Sequence, residues 1–525
     1  MQLPETFHFG EHHLTASIAL SIAKGTTKGI LTENCLKNIE ASSLRVQKII
    51  EKDAIVYGIN TGFGPLCNTK ISKEDTKILQ SNILQSHSVG VGEPVSEEIA
   101  KLMLVLKIHA LAKGYSGIAV KTIHRMLWLI NHNAIPVVPS QGSVGASGDL
   151  APLSHLFLPL IGLGKVNYNG KTIPTSKLFK KEKLKPIDLG PKEGLALING
   201  TQFIAAHAVI VVQRLQHCLR HADIIGAMML EGLQGSIKPF HQELHKLRPF
   251  KGNQHVAGRI RTLLQGSEIL EDHINCERVQ DPYSLRCMPQ VHGASRNTWL
   301  HLKELLEIEL NSVTDNPVII NDDLTISGGN FHGQPLAMAL DYAALAASEL
   351  GNISDRRIYL SLEGNSPGLP KLLMNNTGIN SGYMILQYTT AALASENKSL
   401  CFPASADSIP TSLGQEDHVS MGSISARKTL QIIENLEKIL AIELLTAAQA
   451  FEFRKPLKSG ILLDQVHKYL RTKVTFADND RVFADDINIA IDIVKEGAIL
   501  KLVADSMNKN NITWETIYRE EFEIF

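Results

Sequence analysis

The chain has 525 residues, 44% hydrophobic and 20% charged, with a formal net charge of −1. Such a composition fits a globular protein long enough for one large domain or two to three smaller ones. Its neutral balance gives nucleic acid or an anionic membrane surface nothing to recognise, so neither is expected as a partner. The cysteines (Cys35, Cys67, Cys218, Cys276, Cys287, Cys401) are scattered without a Cys-x-x-Cys pair, which argues against a zinc knuckle or a disulfide framework. Apolar runs such as 156–162 and 209–212 are too short to cross a bilayer, and residues 1–5 lack the pattern of a secretory leader. A cytoplasmic, soluble protein with reduced thiols is the expectation.

In chain order, Thr32-Glu33-Asn34 predicts a capped helix running to Ile50, with Leu36, Ile39, Leu44 and Val46 on its apolar side. Gly58, Gly62, Gly64 and Pro65 then break the pattern into a loop over 54–67. Helical spacing resumes near Ile71 and again over 96–131. Residues 166–168 and 171–173, joined by Asn169-Gly170, predict a hairpin with a type I′ turn. The lysine-rich stretch 177–185 reads as a solvated surface connection.

Beyond Asn199 the chain is strongly helical. Trp299, Leu302, Leu305, Leu306 and Val313 mark one helix, stopped by Asp315-Asn316-Pro317. Met338, Leu340, Ala343, Leu345 and Leu350 mark a second. A third, about thirty residues long by its pattern, carries Leu430, Ile433, Leu436, Leu440 and Leu444. The expected fold is mostly α: a long antiparallel helical bundle over 201–525, preceded by a smaller mixed region over 1–200.

Residues 142–150, Gly-Ser-Val-Gly-Ala-Ser-Gly-Asp-Leu, are the most informative segment. The spacing fits neither a phosphate-cradling glycine loop nor a Gly-x-Ser-x-Gly nucleophile elbow, since Gly148 directly follows Ser147. Standing alone, the segment would be a flexible turn. With Leu150-Ala151-Pro152-Leu153-Ser154-His155 after it, however, it resembles the signature of the aromatic amino acid ammonia-lyases. The resemblance implies that Ala146, Ser147 and Gly148 cyclise unaided, the Gly148 nitrogen attacking the Ala146 carbonyl with loss of two waters. The product would be 4-methylideneimidazole-5-one, an electrophile that needs no external cofactor or metal. The residue types suit it: Gly148 offers no side chain to obstruct closure, and Ser147 supplies the hydroxyl that becomes the alkene. Asp149 would either act as an acid–base group in ring formation or cap the helix that follows.

Four more blocks extend the resemblance. Val56-Tyr57-Gly58-Ile59-Asn60-Thr61-Gly62-Phe63-Gly64 is similar to the family's catalytic tyrosine loop and implies that Tyr57 takes the β-proton. A free phenol titrates near pH 10, so its surroundings would have to lower that value. The block 193–202 implies Asn199 beside the prosthetic ring. The block 280–287 implies Gln280 and Tyr283 as a polar wall and Arg286 as the carboxylate's partner, its fork matching two oxygens. The block 328–333 implies Phe331 over the prosthetic group. The related fumarase and argininosuccinate lyase group shares a helical bundle but uses a serine- and lysine-bearing loop, and Met288-Pro289-Gln290 has neither.

Two positions speak to the substrate. Ser86-His87 occupies the family's selectivity site, and histidine-using members carry Ser-His there, as do some tyrosine-using ones. Gln415-Glu416-Asp417-His418 resembles the histidine-using branch, where the glutamate meets the substrate ring. A carboxylate suits an imidazole N–H, whereas a phenyl ring would leave it unpaired at a cost of about 1–3 kcal/mol. The resemblance therefore implies L-histidine as substrate and trans-urocanate as product. Tyrosine or phenylalanine elimination, or an aminomutase reaction, are the alternatives. It also implies a homotetramer with shared active sites, in which Tyr57 and Arg286 serve a Ser147 of a different chain.

Overall fold

The computed structural model describes residues 3–52, 55–273 and 278–525; Cys276 lies outside them. Four long helices form the centre: Gln202–Gly232, Met288–Leu310, Gln334–Leu362 and Gly422–Glu452. The first is buried on nearly every side, from Gln202 to Val212 and again from His221 to Gly232, as expected of a helix wrapped by others. One core cluster runs from Phe7 to Phe522 and includes all four. Among the described residues no helix is long and apolar enough to cross a membrane.

Strands are short and peripheral. Thr6–His8 pairs with Lys28–Ile30, and Val91–Pro94 with Pro139–Gln141. Lys165–Tyr168 and Lys171–Pro174 form the expected hairpin, with Asn169 (φ 51°) and Gly170 (φ 70°) supplying the left-handed pair that a type I′ turn requires.

Most predicted helices are present, with instructive departures. Thr32 caps the Glu33–Glu51 helix through the Cys35 N–H, but Leu44 is exposed and Cys35 and Ser42 are buried instead. The stretch expected as one helix over 96–131 is two, Glu97–Ala112 and Val120–Asn131, because Gly114 and Gly117 adopt positive φ between them. The lysine-rich connection contains a short helix, Thr175–Glu182, which buries Leu178 and Phe179 and leaves the lysines outside. The helix expected to reach Pro317 stops at Leu310, so Val313 lies beyond it. Met338 and Leu345, expected in the core, are 60% and 52% exposed.

A buried ionic network ties the bundle to the carboxy-terminal segment. Asp223 accepts from Arg259 Nε at 2.7 Å, from His292 Nδ1 at 3.0 Å and from Arg296. Glu523 meets His255 Nε2 and Arg259 Nη1 at 2.9 Å and Arg220 Nε at 3.0 Å. Burial alone would raise the Asp223 and Glu523 carboxyls, but the guanidiniums overcome it and hold both below the carboxylate range. Trp514 lies under the Arg259 guanidinium at 4.1 Å, and the segment passes so close to Gly258 that an added Cβ would meet Glu515 O at 1.8 Å.

Burial also sets a pH dependence. It lowers His109 and His221 to about 3 and His207 and His217 to about 4. Their folded values lie below the unfolded value near 6.5, so their stabilisation is complete above about pH 6.5 and declines as pH falls through the acid range. Asp149 and Glu231, raised by burial to about 7, act oppositely and gain over the same descent. The histidines are more numerous, so calorimetric midpoints should fall between pH 7 and pH 5 with net proton uptake on unfolding. A rising midpoint would show that the two carboxyls dominate.

Candidate active site

Tyr57, Gly64, Ser147, Asn199 and Glu416 form a wall shared by two cavities, of about 480 and 530 Å³. The smaller is lined by Leu66, Ile71, Leu79, Ile83, Leu150 and Leu195, with Ser86 and His87 at its side. The larger is bordered by Ala146, Asn316, Phe331, His332, Asp417 and His418. One side of the wall therefore suits a ring, and the other suits charged or hydrogen-bonding groups.

The 142–148 loop turns sharply because of its residues. Gly145 (φ 73°), Ser147 (φ 48°) and Gly148 (φ 79°) are left-handed, and such a conformation at a serine costs on the order of 1–3 kcal/mol. Gly148 packs directly on Gly200: a Cβ there would sit 2.2 Å from Gly200 O, so no other residue fits without moving backbone. Ala146 is buried against Val419 and Met421. Asn199 donates through Nδ2 to Ser147 O at 2.8 Å, while its buried Oδ1 has no hydrogen-bond partner among the described residues. The buried Lys107 donates to Asn199 O at 2.5 Å, its ammonium pushed down to about 7 by desolvation.

Asp149 does not cap the helix that follows it, Leu150–Phe157. Its Oδ2 instead accepts from the Phe203 and Ile204 N–H groups at 3.1 and 3.0 Å, at the start of the long Gln202–Gly232 helix, and Oδ1 accepts from Ser143. Sequence reads capping only along the chain, so a cap supplied to a helix fifty residues away leaves no local signal.

Glu416 Oε1 accepts the Ser147 hydroxyl at 2.6 Å, and Oε2 accepts Thr411 Oγ1 and Ser412 Oγ, each at 3.0 Å. His87 bonds Ser86 Oγ through Nδ1 at 3.0 Å, and burial lowers its pKa against the opposing influence of Glu416. The expected depression of Tyr57 is absent. Burial raises its phenol, Glu416 adds to the rise, and the Gly64 N–H at 3.3 Å opposes it. A single chain gives the tyrosine a desolvated pocket and a neighbouring carboxylate, and both disfavour a phenolate.

Tyr57, His87, Ala146, Ser147, Asn199, Phe331 and Glu416 thus gather around one wall, and Gly148 lies beneath it. Tyr57 and Ser147 share that wall within one chain, which departs from the expectation that they come from different chains. Gln280, Tyr283 and Arg286 line neither cavity. Tyr283 is 71% exposed, and Arg286 lies 4.6 Å over its ring while donating to Asp281 O.

Comparison with known proteins matches residues 14–472 to the model of the aromatic amino acid lyases. The chain belongs to that family. A histidine ammonia-lyase of Natranaerobius thermophilus is 46% identical over 90% of this chain and 93% of its own length. One of Vibrio cholerae is 47% identical over 91% and 94%. Among solved structures, histidine ammonia-lyase from Trypanosoma cruzi superposes with a TM-score of 0.89 at 39% identity, covering 98% of this chain and 97% of that one. A tyrosine aminomutase from Streptomyces globisporus gives 0.89 at 33%, covering 96% and 99%. The lyase match contains every site position named above and ends before the carboxy-terminal segment that carries Trp514 and Glu523.

Several residues of this lyase site carry no local sequence signal. Thr411 and Ser412, which hold Glu416, and Lys107, which holds Asn199, are found only through the tertiary fold. Leu66, Ile71, Leu79 and Ile83 are ordinary apolar residues in sequence, and only the fold shows that they line the cavity.

Proposed function

We propose that this lyase eliminates ammonia from L-histidine without oxidation, yielding trans-urocanate, at the wall formed by Tyr57, Ser147, Asn199 and Glu416. The reading rests above all on Glu416, a carboxylate facing a cavity lined by leucines and isoleucines, where an imidazole N–H meets an acceptor and a phenyl ring does not. The names carried by relatives at 46–47% identity support the same substrate.

Ala146, Ser147 and Gly148 fit the precursor of 4-methylideneimidazole-5-one. Ser147 and Gly148 both take left-handed backbone conformations, which turn the chain sharply there, and the space at Gly148 admits no side chain. Once formed, the group supplies an electrophilic methylidene toward the substrate's ring or its amine. Asn199, through the unpartnered Oδ1, accepts from the substrate ammonium. Tyr57 removes the β-proton, and Phe331 closes the side of Ala146 and Ser147. His87 and Glu416 hold the imidazole.

Gln280, Tyr283 and Arg286 act at the site of another copy in a homotetramer, with Arg286 binding the substrate carboxylate through its paired donors. This accounts for their distance from their own cavities and for exposed apolar residues on the long helices, among them Ile308 (67%), Tyr342 (52%) and Tyr359 (49%). It also gives Tyr57 the nearby cation that the single chain withholds.

Purified protein incubated separately with L-histidine, L-tyrosine and L-phenylalanine tests the proposal. Near-ultraviolet absorbance should grow with histidine alone. Growth with tyrosine instead would overturn the role of Glu416, and an active monomer by light scattering would overturn the shared site.

A further inference from the structure

Ser147 must lose its hydroxyl before the site can work, and an alcohol is a poor leaving group unless a proton arrives with the departing oxygen. Asp149, the nearest acid in sequence, has both oxygens committed elsewhere: Oδ1 to Ser143 Oγ, and Oδ2 to the N–H groups of Phe203 and Ile204. Tyr57 accepts from the Gly64 N–H. Glu416, by contrast, touches the hydroxyl itself, with Oε1 at 2.6 Å from Ser147 Oγ.

That contact is built rather than incidental. Thr411 Oγ1 and Ser412 Oγ both donate to Oε2, which fixes the carboxylate plane and leaves Oε1 aimed at Ser147. Thr411 and Glu416 also form a backbone bridge, closed by Thr411 N donating to Glu416 O at 2.9 Å. Three consecutive left-handed residues, Ser412 (φ 51°), Leu413 (φ 55°) and Gly414 (φ 86°), make the turn that brings both hydroxyls under the carboxylate. Strain of this kind persists only where the surroundings over-determine it, and here the carboxylate is what it positions.

We propose that Glu416 is the proton shuttle for the dehydration of Ser147, a task it completes before it ever meets substrate. This rests on reading 146–148 as the precursor segment. The Gly148 nitrogen bonds to the Ala146 carbonyl carbon; its proton and the Ser147 N–H proton leave with the carbonyl oxygen as the first water, and a C=N double bond forms between that carbon and the Ser147 nitrogen. The Ser147 Cα–H and Cβ–O bonds then break as the Cα–Cβ double bond forms. The Cα proton passes through solvent to the Glu416 carboxylate, which delivers it to the departing hydroxyl, so a second water leaves and Glu416 returns to its starting charge. No oxidant or reductant is required. Loss of the hydroxyl also vacates Oε1, so one carboxylate oxygen serves first the maturing serine and then the substrate's imidazole N–H.

The test follows maturation rather than turnover. Wild type, Glu416→Gln and the double variant Thr411→Val/Ser412→Ala are made by cell-free synthesis. The peptide containing 146–148 is weighed at intervals after synthesis stops. Wild type should become two waters lighter than the encoded peptide. Glu416→Gln should keep the Ser147 water, with its loss slowed at least about tenfold, roughly 1.4 kcal/mol in barrier. The double variant, which keeps the carboxylate but releases its aim, should be slowed less. Loss of both waters at the wild-type rate in Glu416→Gln would overturn the proposal. A wild-type peptide of encoded mass would instead overturn the precursor reading on which it rests.

Discussion

Ser147→Ala should abolish formation of the electrophile and lower kcat for L-histidine by about a thousandfold or more, roughly 4 kcal/mol of barrier. No ordinary side chain is a strong electrophile, and the β-proton of an amino acid is only weakly acidic, so Tyr57 cannot act without an electron acceptor across the cavity. Alanine keeps the backbone but lacks the hydroxyl that becomes the alkene. Folding should barely notice, because in the uncyclised chain the substitution removes a single hydrogen bond, to Glu416, worth about 1 kcal/mol. The checks are kcat, the mass of the 146–148 peptide and a denaturation midpoint on one preparation. Wild-type turnover with an undehydrated peptide would remove the central claim about this site.

Glu523→Gln should destabilise the protein by about 3–5 kcal/mol, the usual cost of breaking a buried ion pair from one side. Glu523 faces Arg220, Arg259 and His255 in a region nearly closed to solvent. Without its charge, Arg259 keeps Asp223, which it shares with Arg296 and His292. Arg220 Nε then loses its carboxylate. Glu515→Gln is the control: that carboxylate pairs with Arg261 but is 40% exposed, so its loss should cost less than about 1 kcal/mol. Urea midpoints at fixed protein concentration compare the two. Equal, small shifts would show that the carboxy-terminal segment is not part of the cooperative unit.

Both predictions bear on how much could be read from residues alone. The 142–150 segment stood out because its proposed chemistry is local: three adjacent residues carry the atoms that would cyclise, and the glycines that would permit it are neighbours in sequence. The structure adds that Gly148 must be glycine for a second reason, the Gly200 backbone pressed against it. Helix existence was legible for the same reason, since an apolar stripe repeats within a few turns. The faces were less so. Met338 and Leu345 fit a core pattern yet lie exposed, because periodicity finds an apolar stripe without saying what covers it.

Tyr57 lines the cavity wall, but the expected depression of its pKa is not found. A loop motif identifies Tyr57, but its pKa depends on desolvation and on Glu416, which lies more than three hundred residues away in the chain. Glu416 is also 269 residues from its partner Ser147. The sequence by itself determined the helical class and the residue types available for catalysis, and it pointed to the proposed precursor segment, because these follow from short-range pattern and covalent chemistry. Only the tertiary structure decided which of them meet. It put Asp149 on a remote helix, Glu416 on the Ser147 hydroxyl, Arg286 away from its own cavity and Glu523 among buried arginines. Each is a contact between distant stretches, fixed by packing and by the need to pair buried charge, and no window of neighbouring residues encodes it.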